Sequence, residues 1–225
     1  INDYLALSRS LIKFANIHKV SKVIYFSSVH VYGKNLKGTV SEKTEIAPIK
    51  SFSKIHSDIE KILHQNIKYP ALIILRCSNS YGYPFYENNN CWNLVINNLC
   101  KTAFQSKKIL IKGSGLDYRN FISLSNVCRA IQHFIDLDLK SHSKFIFNLG
   151  GSMDMTITEI SIIIKQTLKK YFSITIPIEY SRNVQREEMI STFSFSINKI
   201  KETGFKLIDN KDEIKKLINY CKVNF

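Results

Sequence analysis

Two hydroxyl side chains, Ser27 and Ser28, stand where the apolar run of "VIYFSSVHVYG" (Val23 to Gly33) stops. A hydroxyl at a strand end either meets a ligand oxygen or satisfies backbone groups, and these two residues alone leave both roles open. Two histidines that titrate near neutral pH are the candidates for moving protons beside them, His30 just past the run and His56 further along. Three later stretches close apolar runs or turns with polar groups: "LRCSNSYG" (75 to 82), "GSGLDYRNFISLSNVCRAI" (113 to 131) and "FNLGG" (147 to 151).

The elements that position these groups follow from hydrophobic periodicity. The runs "KVIYFSS", "ALIILRC", "KILIKGSG" and "KFIFNLGG" are rich in β-branched and aromatic residues and suit strands covered on both faces, as in a parallel sheet. Helical spacing occupies roughly Tyr4 to His18, Ser51 to Gln65, Trp92 to Phe104, Ser125 to Leu137 and Thr156 to Tyr171. A terminal amphipathic helix, "NKDEIKKLINYCK", is expected to be capped by Asn210 or Asp212. Residues 80 to 91, with Pro84 and three consecutive asparagines, are expected to form a long loop. The alternation predicts an α/β fold of βαβ units, in which ligands bind at the carboxyl ends of the strands.

The chain of 225 residues, 44% hydrophobic, has no apolar run long enough to cross a membrane and no signal-peptide pattern, so the cytoplasm is the expected compartment. Five widely spaced cysteines without a CxxC indicate neither a disulfide framework nor a zinc site. The net charge of +14 would attract polyanions, and a basic nucleic-acid-binding protein is one reading of it. Scattered lysines and the lack of zinc-finger or RNP patterns weigh against nucleic acid.

Taken in order, the stretches resemble the extended short-chain dehydrogenase/reductase family, specifically its NAD-dependent nucleotide-sugar epimerases and dehydratases. The family's SSxxVYG matches Ser27, Ser28, Val31, Tyr32 and Gly33, and its RxxNxYG matches Arg76, Asn79, Tyr81 and Gly82. RDFI matches Arg119, Phe121 and Ile122, and NxG matches Asn148 and Gly150, while Glu42, Pro48 and Glu60 fix the register between them. The resemblance implies a partial Rossmann fold (doubly wound parallel sheet) with a small α/β substrate-binding lobe. Residues 1–80 would be the distal part of the NAD-binding domain and 81–225 mainly the lobe, with segments about 109–150 partly returning to the Rossmann sheet.

In this register the family's catalytic tyrosine is Phe52 and its lysine is His56. Phe52, His56 and Glu60 lie four apart and share one helix face, which the family turns toward the nicotinamide. Phenylalanine has no exchangeable proton, and a slipped register with Lys54 at the lysine position puts Lys50, not a tyrosine, at the other. The resemblance therefore implies a catalytic set of Ser28, the altered Phe52 and His56. It implies Ser27, His56, Cys77 and Ser78 on the cofactor side and Asn79, Asn93 and Arg119 on the substrate side, with Arg182 or Arg186 completing a diphosphate clamp. Dehydratase members carry an Asp-Glu pair after the hydroxyl residue, whereas Val29 and His30 follow Ser28 here, which argues against sugar dehydration.

The first of the eight glycines is Gly33, so no GxxGxxG turn precedes the SSxxVYG run. The opening residues resemble the helix just before that run, so a fragment is expected, binding NAD (or NADP) only if the missing amino-terminal half is supplied. A non-catalytic nucleotide-sugar binder of the same fold is the nearest alternative to a catalytically degraded epimerase. Family dimers imply a homodimer through helices near 4–18 and 51–65.

Overall fold

The computed structural model describes residues 2–34, 36–86, 89–181, 192–208 and 211–225. In chain order, α1 (Asn2–Ile17) leads to β1 (Lys22–Ser28), a 3-10 turn (Val29–Tyr32), β2 (Gly38–Val40), α2 (Ser51–Asn66), β3 (Ala71–Cys77) and β4 (Asn79–Tyr81). Then come α3 (Val95–Gln105), β5 (Ile109–Ile111), β6 (Tyr118–Ser123), α4 (Leu124–Asp136), β7 (Lys144–Leu149) and β8 (Met153–Thr156). The chain continues through α5 (Ile157–Phe172), β9 (Ile178–Tyr180), β10 (Phe193–Phe195), α6 (Asn198–Glu202) and α7 (Lys211–Asn224). It divides into two compact units, the first comprising Ile1–Ser78, Cys128–Gly150 and Ser194–Lys206. The second comprises Asn79–Val127, Gly151–Phe193 and Leu207–Phe225.

The first unit is built on a parallel sheet of order β1-β3-β7. Its central strand explains its own sequence: Ala71 to Leu75 are fully buried, because side chains on both faces of β3 are covered and no polar alternation is tolerated. On one face, Ile12 and Ala15 of α1 and Ile59 and Leu63 of α2 pack with Leu72 and Ile74. Within the same unit, Phe134 of α4 meets Phe147 of β7 with ring centroids 5.0 Å apart. The register sets Ser28 beside Cys77 and Cys77 beside Leu149, so the three strands finish level. Gly33 ends the turn after β1 with φ of 92°, and a Cβ there would lie 2.5 Å from the Ala47 carbonyl oxygen, so the VYG glycine is fixed by both dihedral and space.

The second unit carries a mixed sheet of order β4-β6-β8, with β4 parallel and β8 antiparallel to β6, and a separate parallel pair β5-β9. Helices α3, α5 and α7 enclose a core of Leu99, Ile109, Ile111, Phe121, Ile164 and Leu217, among others. Helix α5 starts with a capping box, Thr156 and Glu159 each bonding the other's backbone N–H.

Several expectations are corrected. The run "KILIKGSG" supplies β5, which pairs with β9 (Ile109 with Ile178) rather than joining the β1-β3-β7 sheet. Trp92 lies in a turn and α3 begins at Val95. Asp212 sits in the first turn of α7 rather than capping it, where its charge suits the positive end of the helix dipole, and Asn210 lies outside the described residues. The expected 80 to 91 loop gives its first residues to β4. The five cysteines are free, and among the described residues no group of His, Cys, Asp and Glu is arranged to hold a metal. Among the described residues no helix is long and apolar enough to cross a membrane.

Candidate functional site

Ser28 is the last residue of β1 and caps the 3-10 turn, its Oγ accepting the His30 N–H at 3.3 Å. Ser27 points the other way, as strand alternation requires, and its buried hydroxyl donates to Glu60 Oε1 at 2.5 Å. Glu60 is also held by Arg76, whose Nη2 lies 2.7 Å from Oε2 and whose Nε lies 3.1 Å from Oε1. Arg76 Nη1 donates to the Tyr32 hydroxyl at 3.0 Å, and that hydroxyl donates to Asn148 Oδ1 at 2.6 Å. Asn148 in turn takes its backbone N–H to Glu42 at 2.7 Å and its Nδ2 to the Ser196 carbonyl at 3.1 Å. Burial by itself would lower the Arg76 pKa, but the bonds to Glu60 and Tyr32 leave it above the ordinary value, so the guanidinium stays charged. The motif residues Tyr32, Arg76, Asn148 and Glu60 thus form one buried network pinning α2 to the sheet.

One turn before Glu60, His56 is partly buried and its Nδ1 lies 2.7 Å from the Tyr25 hydroxyl. The Phe52 ring meets the His56 ring edge-on at 4.5 Å between centroids and is 60% exposed. Burial lowers the His56 pKa, with Glu60 opposing, which favours the neutral imidazole near pH 7. Cys77 ends β3, and burial pushes its thiol up to about 12, so it is a neutral thiol rather than a thiolate. Ser78 follows, 7% exposed, with its backbone N–H on the Leu149 carbonyl. Its Oγ is the one buried side-chain oxygen or nitrogen without a hydrogen-bond partner among the described residues. Within the first unit, Ser27, Ser28 and Cys77 stand at the ends of β1 and β3 with Ser78 just beyond, whereas His56 meets Tyr25 in the middle of β1 and Phe52 packs on His56.

In the second unit, Arg119 Nη2 contacts Asp117 at 3.2 Å, and its Nη1 reaches Asn79 Oδ1 at 3.5 Å. The Arg119 side chain is 30% exposed and Asp117 more so, so the ion pair orients the guanidinium more than it stabilises the fold. Asn79 Nδ2 donates to the Asn120 carbonyl at 3.0 Å. Asn120 brackets Gly151 with its Oδ1 and Nδ2, both at 3.0 Å, and a Cβ on Gly151 would lie 2.1 Å from the Phe121 carbonyl oxygen. Asn93 is exposed in the turn before α3, and Arg182 and Arg186 lie outside the described residues. A cavity of about 590 Å³, lined by Tyr83, Tyr171, Phe172, Lys215 and Tyr220 among others, holds none of the expected site residues.

Sequence reasoning missed Tyr25 and the bracketing role of Asn120. The available signal for Tyr25 was strand alternation, which puts it on the same side as Ser27 and hence toward α2.

Human dTDP-D-glucose 4,6-dehydratase is 26% identical over 222 residues, covering 96% of this chain and 60% of the relative. Among solved structures, the UDP-glucuronic acid 4-epimerase of Bacillus cereus, in complex with UDP-glucuronic acid and NAD, matches with TM-score 0.78 at 18% identity, covering 99% of this chain and 68% of that one. The UDP-N-acetylglucosamine 4-epimerase of Methanobrevibacter ruminantium matches with TM-score 0.76 at 20% identity, covering 97% and 68%. These structural likenesses establish the Rossmann-type α/β fold. The chain spans about 60% of the length of the human relative it matches. Residues 1–150 match the model of the NAD dependent epimerase/dehydratase family. With two thirds of its length inside that match and its motifs standing at the strand ends, the chain belongs to the NAD-dependent epimerase/dehydratase family.

Proposed function

We propose that the protein is an NAD-dependent nucleotide-sugar epimerase-like protein whose proton-transfer step is impaired because position 52 carries phenylalanine. The first unit is read as the distal part of the cofactor-binding domain and the second as the main part of the substrate lobe. The observation that carries the reading is the orphaned Ser78 hydroxyl at the carboxyl end of the parallel sheet. A buried hydroxyl without a partner costs about 1–3 kcal/mol, which a polar ligand atom there would offset, and strand ends of such sheets are where dinucleotides bind. The residues present thus fit the nicotinamide side of NAD (or NADP), with Ser78 and His56 supplying hydrogen bonds and the Cys77 thiol supplying contact without charge. NAD, when bound, supplies a reversible acceptor for a hydride. Ser28 offers a hydroxyl to a sugar oxygen, whereas Ser27 serves through Glu60, to which its hydroxyl is committed.

On the substrate side, Arg119, oriented by Asp117 and Asn79, presents planar donors suited to a diphosphate. Asn93 and Arg186 complete the proposed set. Human dTDP-D-glucose 4,6-dehydratase is a dehydratase, but here Ser28 is followed by buried Val29 and exposed His30 in place of two carboxylates, which favours epimerase-type chemistry over dehydration. The proton-free Phe52 also favours a second reading, a nucleotide-sugar binder without turnover. A homodimer is proposed through α1 and α2, supported by the stripe Tyr4, Leu7, Leu11, Phe14 and Ile17, which is 45–68% exposed on α1 at three- and four-residue spacing. The free cysteines suit a reducing cytoplasm.

Arg119→Ala is expected to weaken the binding of a nucleoside diphosphate sugar, measured by calorimetry, by about 1–3 kcal/mol, the range for losing a charge-assisted hydrogen bond. Unchanged affinity would remove Arg119 from the substrate set.

A further inference from the structure

Tyr25 sits in the middle of β1, two residues before Ser27, and reaches from the sheet to α2. Its hydroxyl lies 2.7 Å from His56 Nδ1, and among the described residues that is its only hydrogen bond. A neutral imidazole has one protonated nitrogen and one acceptor nitrogen, and the bond at Nδ1 decides which is which. If Nδ1 carried the proton, the Tyr25 O–H would be left without an acceptor among the described residues. If Nδ1 accepts, one bond satisfies both groups, and it pairs the acidic phenol with the more basic imidazole nitrogen. We infer that Tyr25 is a positioning residue for His56, donating to Nδ1 and so holding the imidazole in the tautomer that carries its proton on Nε2.

The electrostatics agree. Burial, and then the charge of Glu60, raise the Tyr25 pKa, so the phenol keeps its proton and acts as a fixed donor rather than a proton source. Burial lowers that of His56, Glu60 opposing it, so the ring stays neutral. At the position where the family carries a lysine ammonium, His56 then presents a single uncharged N–H donor. That last consequence rests on the reading of His56 as a cofactor-side residue; the tautomer does not.

The test is the imidazole 15N spectrum of the full chain without cofactor. The expected result is an unprotonated, hydrogen-bonded Nδ1 and a protonated Nε2 for His56, with Tyr25→Phe moving the Nδ1 resonance to that of an unbonded acceptor. A protonated Nδ1 in the unaltered protein would overturn the inference whether or not the variant folds. So would an Nδ1 resonance that Tyr25→Phe leaves in place, since a merely structural tyrosine would not set it. Titration with NAD, with the GxxGxxG-bearing half supplied, separates the two readings: a response at Nε2 supports His56 as a cofactor ligand, and an Nε2–H tautomer indifferent to NAD overturns that role while leaving the Tyr25 inference standing.

Discussion

Replacing Arg76 with alanine is expected to destabilise the first unit by about 3–5 kcal/mol, the cost of stripping one partner from a buried ion pair. The side chains of Arg76 and Glu60 are 3% and 5% exposed, so water cannot re-solvate the carboxylate that remains. The loss spreads, because Ser27 donates to the same carboxylate and Tyr32 accepts from the same guanidinium. Replacing both charges with apolar residues, Arg76→Met with Glu60→Leu, is expected to recover part of the loss, since no buried charge is then left over. Recovery stays partial because Ser27 and Tyr32 remain without those partners. Urea unfolding of the two variants checks this; a cost below about 1 kcal/mol for Arg76→Ala, the range of an exposed pair, would mean the network does not hold α2.

The second large effect concerns chemistry. With the GxxGxxG-bearing half on which NAD binding is expected to depend supplied, the double substitution Phe52→Tyr with His56→Lys is expected to raise NAD-dependent turnover of a nucleoside diphosphate sugar by about 100-fold or more, the range that a positioned general acid or base contributes. The two changes act together. An ammonium one helical turn away lowers the pKa of a tyrosine at position 52, whereas a neutral imidazole bonded to Tyr25 does not. Phe52→Tyr alone is therefore expected to gain less than the pair. Phe52 is 60% exposed, so a hydroxyl added to its ring has room and meets no steric penalty. Equal rates in the unaltered and doubly substituted protein would place the chemistry elsewhere than on this helix face.

Much of the fold was legible because its central elements are local. The β1, β3 and β7 runs are continuous apolar segments, and β3 is buried from Ala71 to Arg76, so period and position agree. Helices α2 and α5 carry their own signals in helical spacing, that of α2 marked by Phe52, His56 and Glu60 four apart, and the Thr156 and Glu159 box of α5 came with the structure. What escaped depends on pairing between distant residues. The "KILIKGSG" run reads like the other strands, and only its register with Ile178, far along the chain, sends it to another sheet. Strands β8, β9 and β10 have three or four residues each, too short for a period to show. At the site, the motif residues were visible as types, but not their division of labour: Ser27 and Ser28 look alike in sequence, yet one bonds Glu60 and the other caps a turn. Tyr25 was hidden inside an apolar run because a tyrosine there reads as core until its hydroxyl is seen to meet His56.

The most direct measurement is a backbone-amide NMR titration of the full chain with UDP-glucose. Saturable shifts centred on Asn79 and on Asp117 to Asn120 are the predicted result. No shifts, or shifts confined to the Tyr83, Tyr171 and Lys215 cavity, would contradict the assignment of a sugar-nucleotide site to this protein.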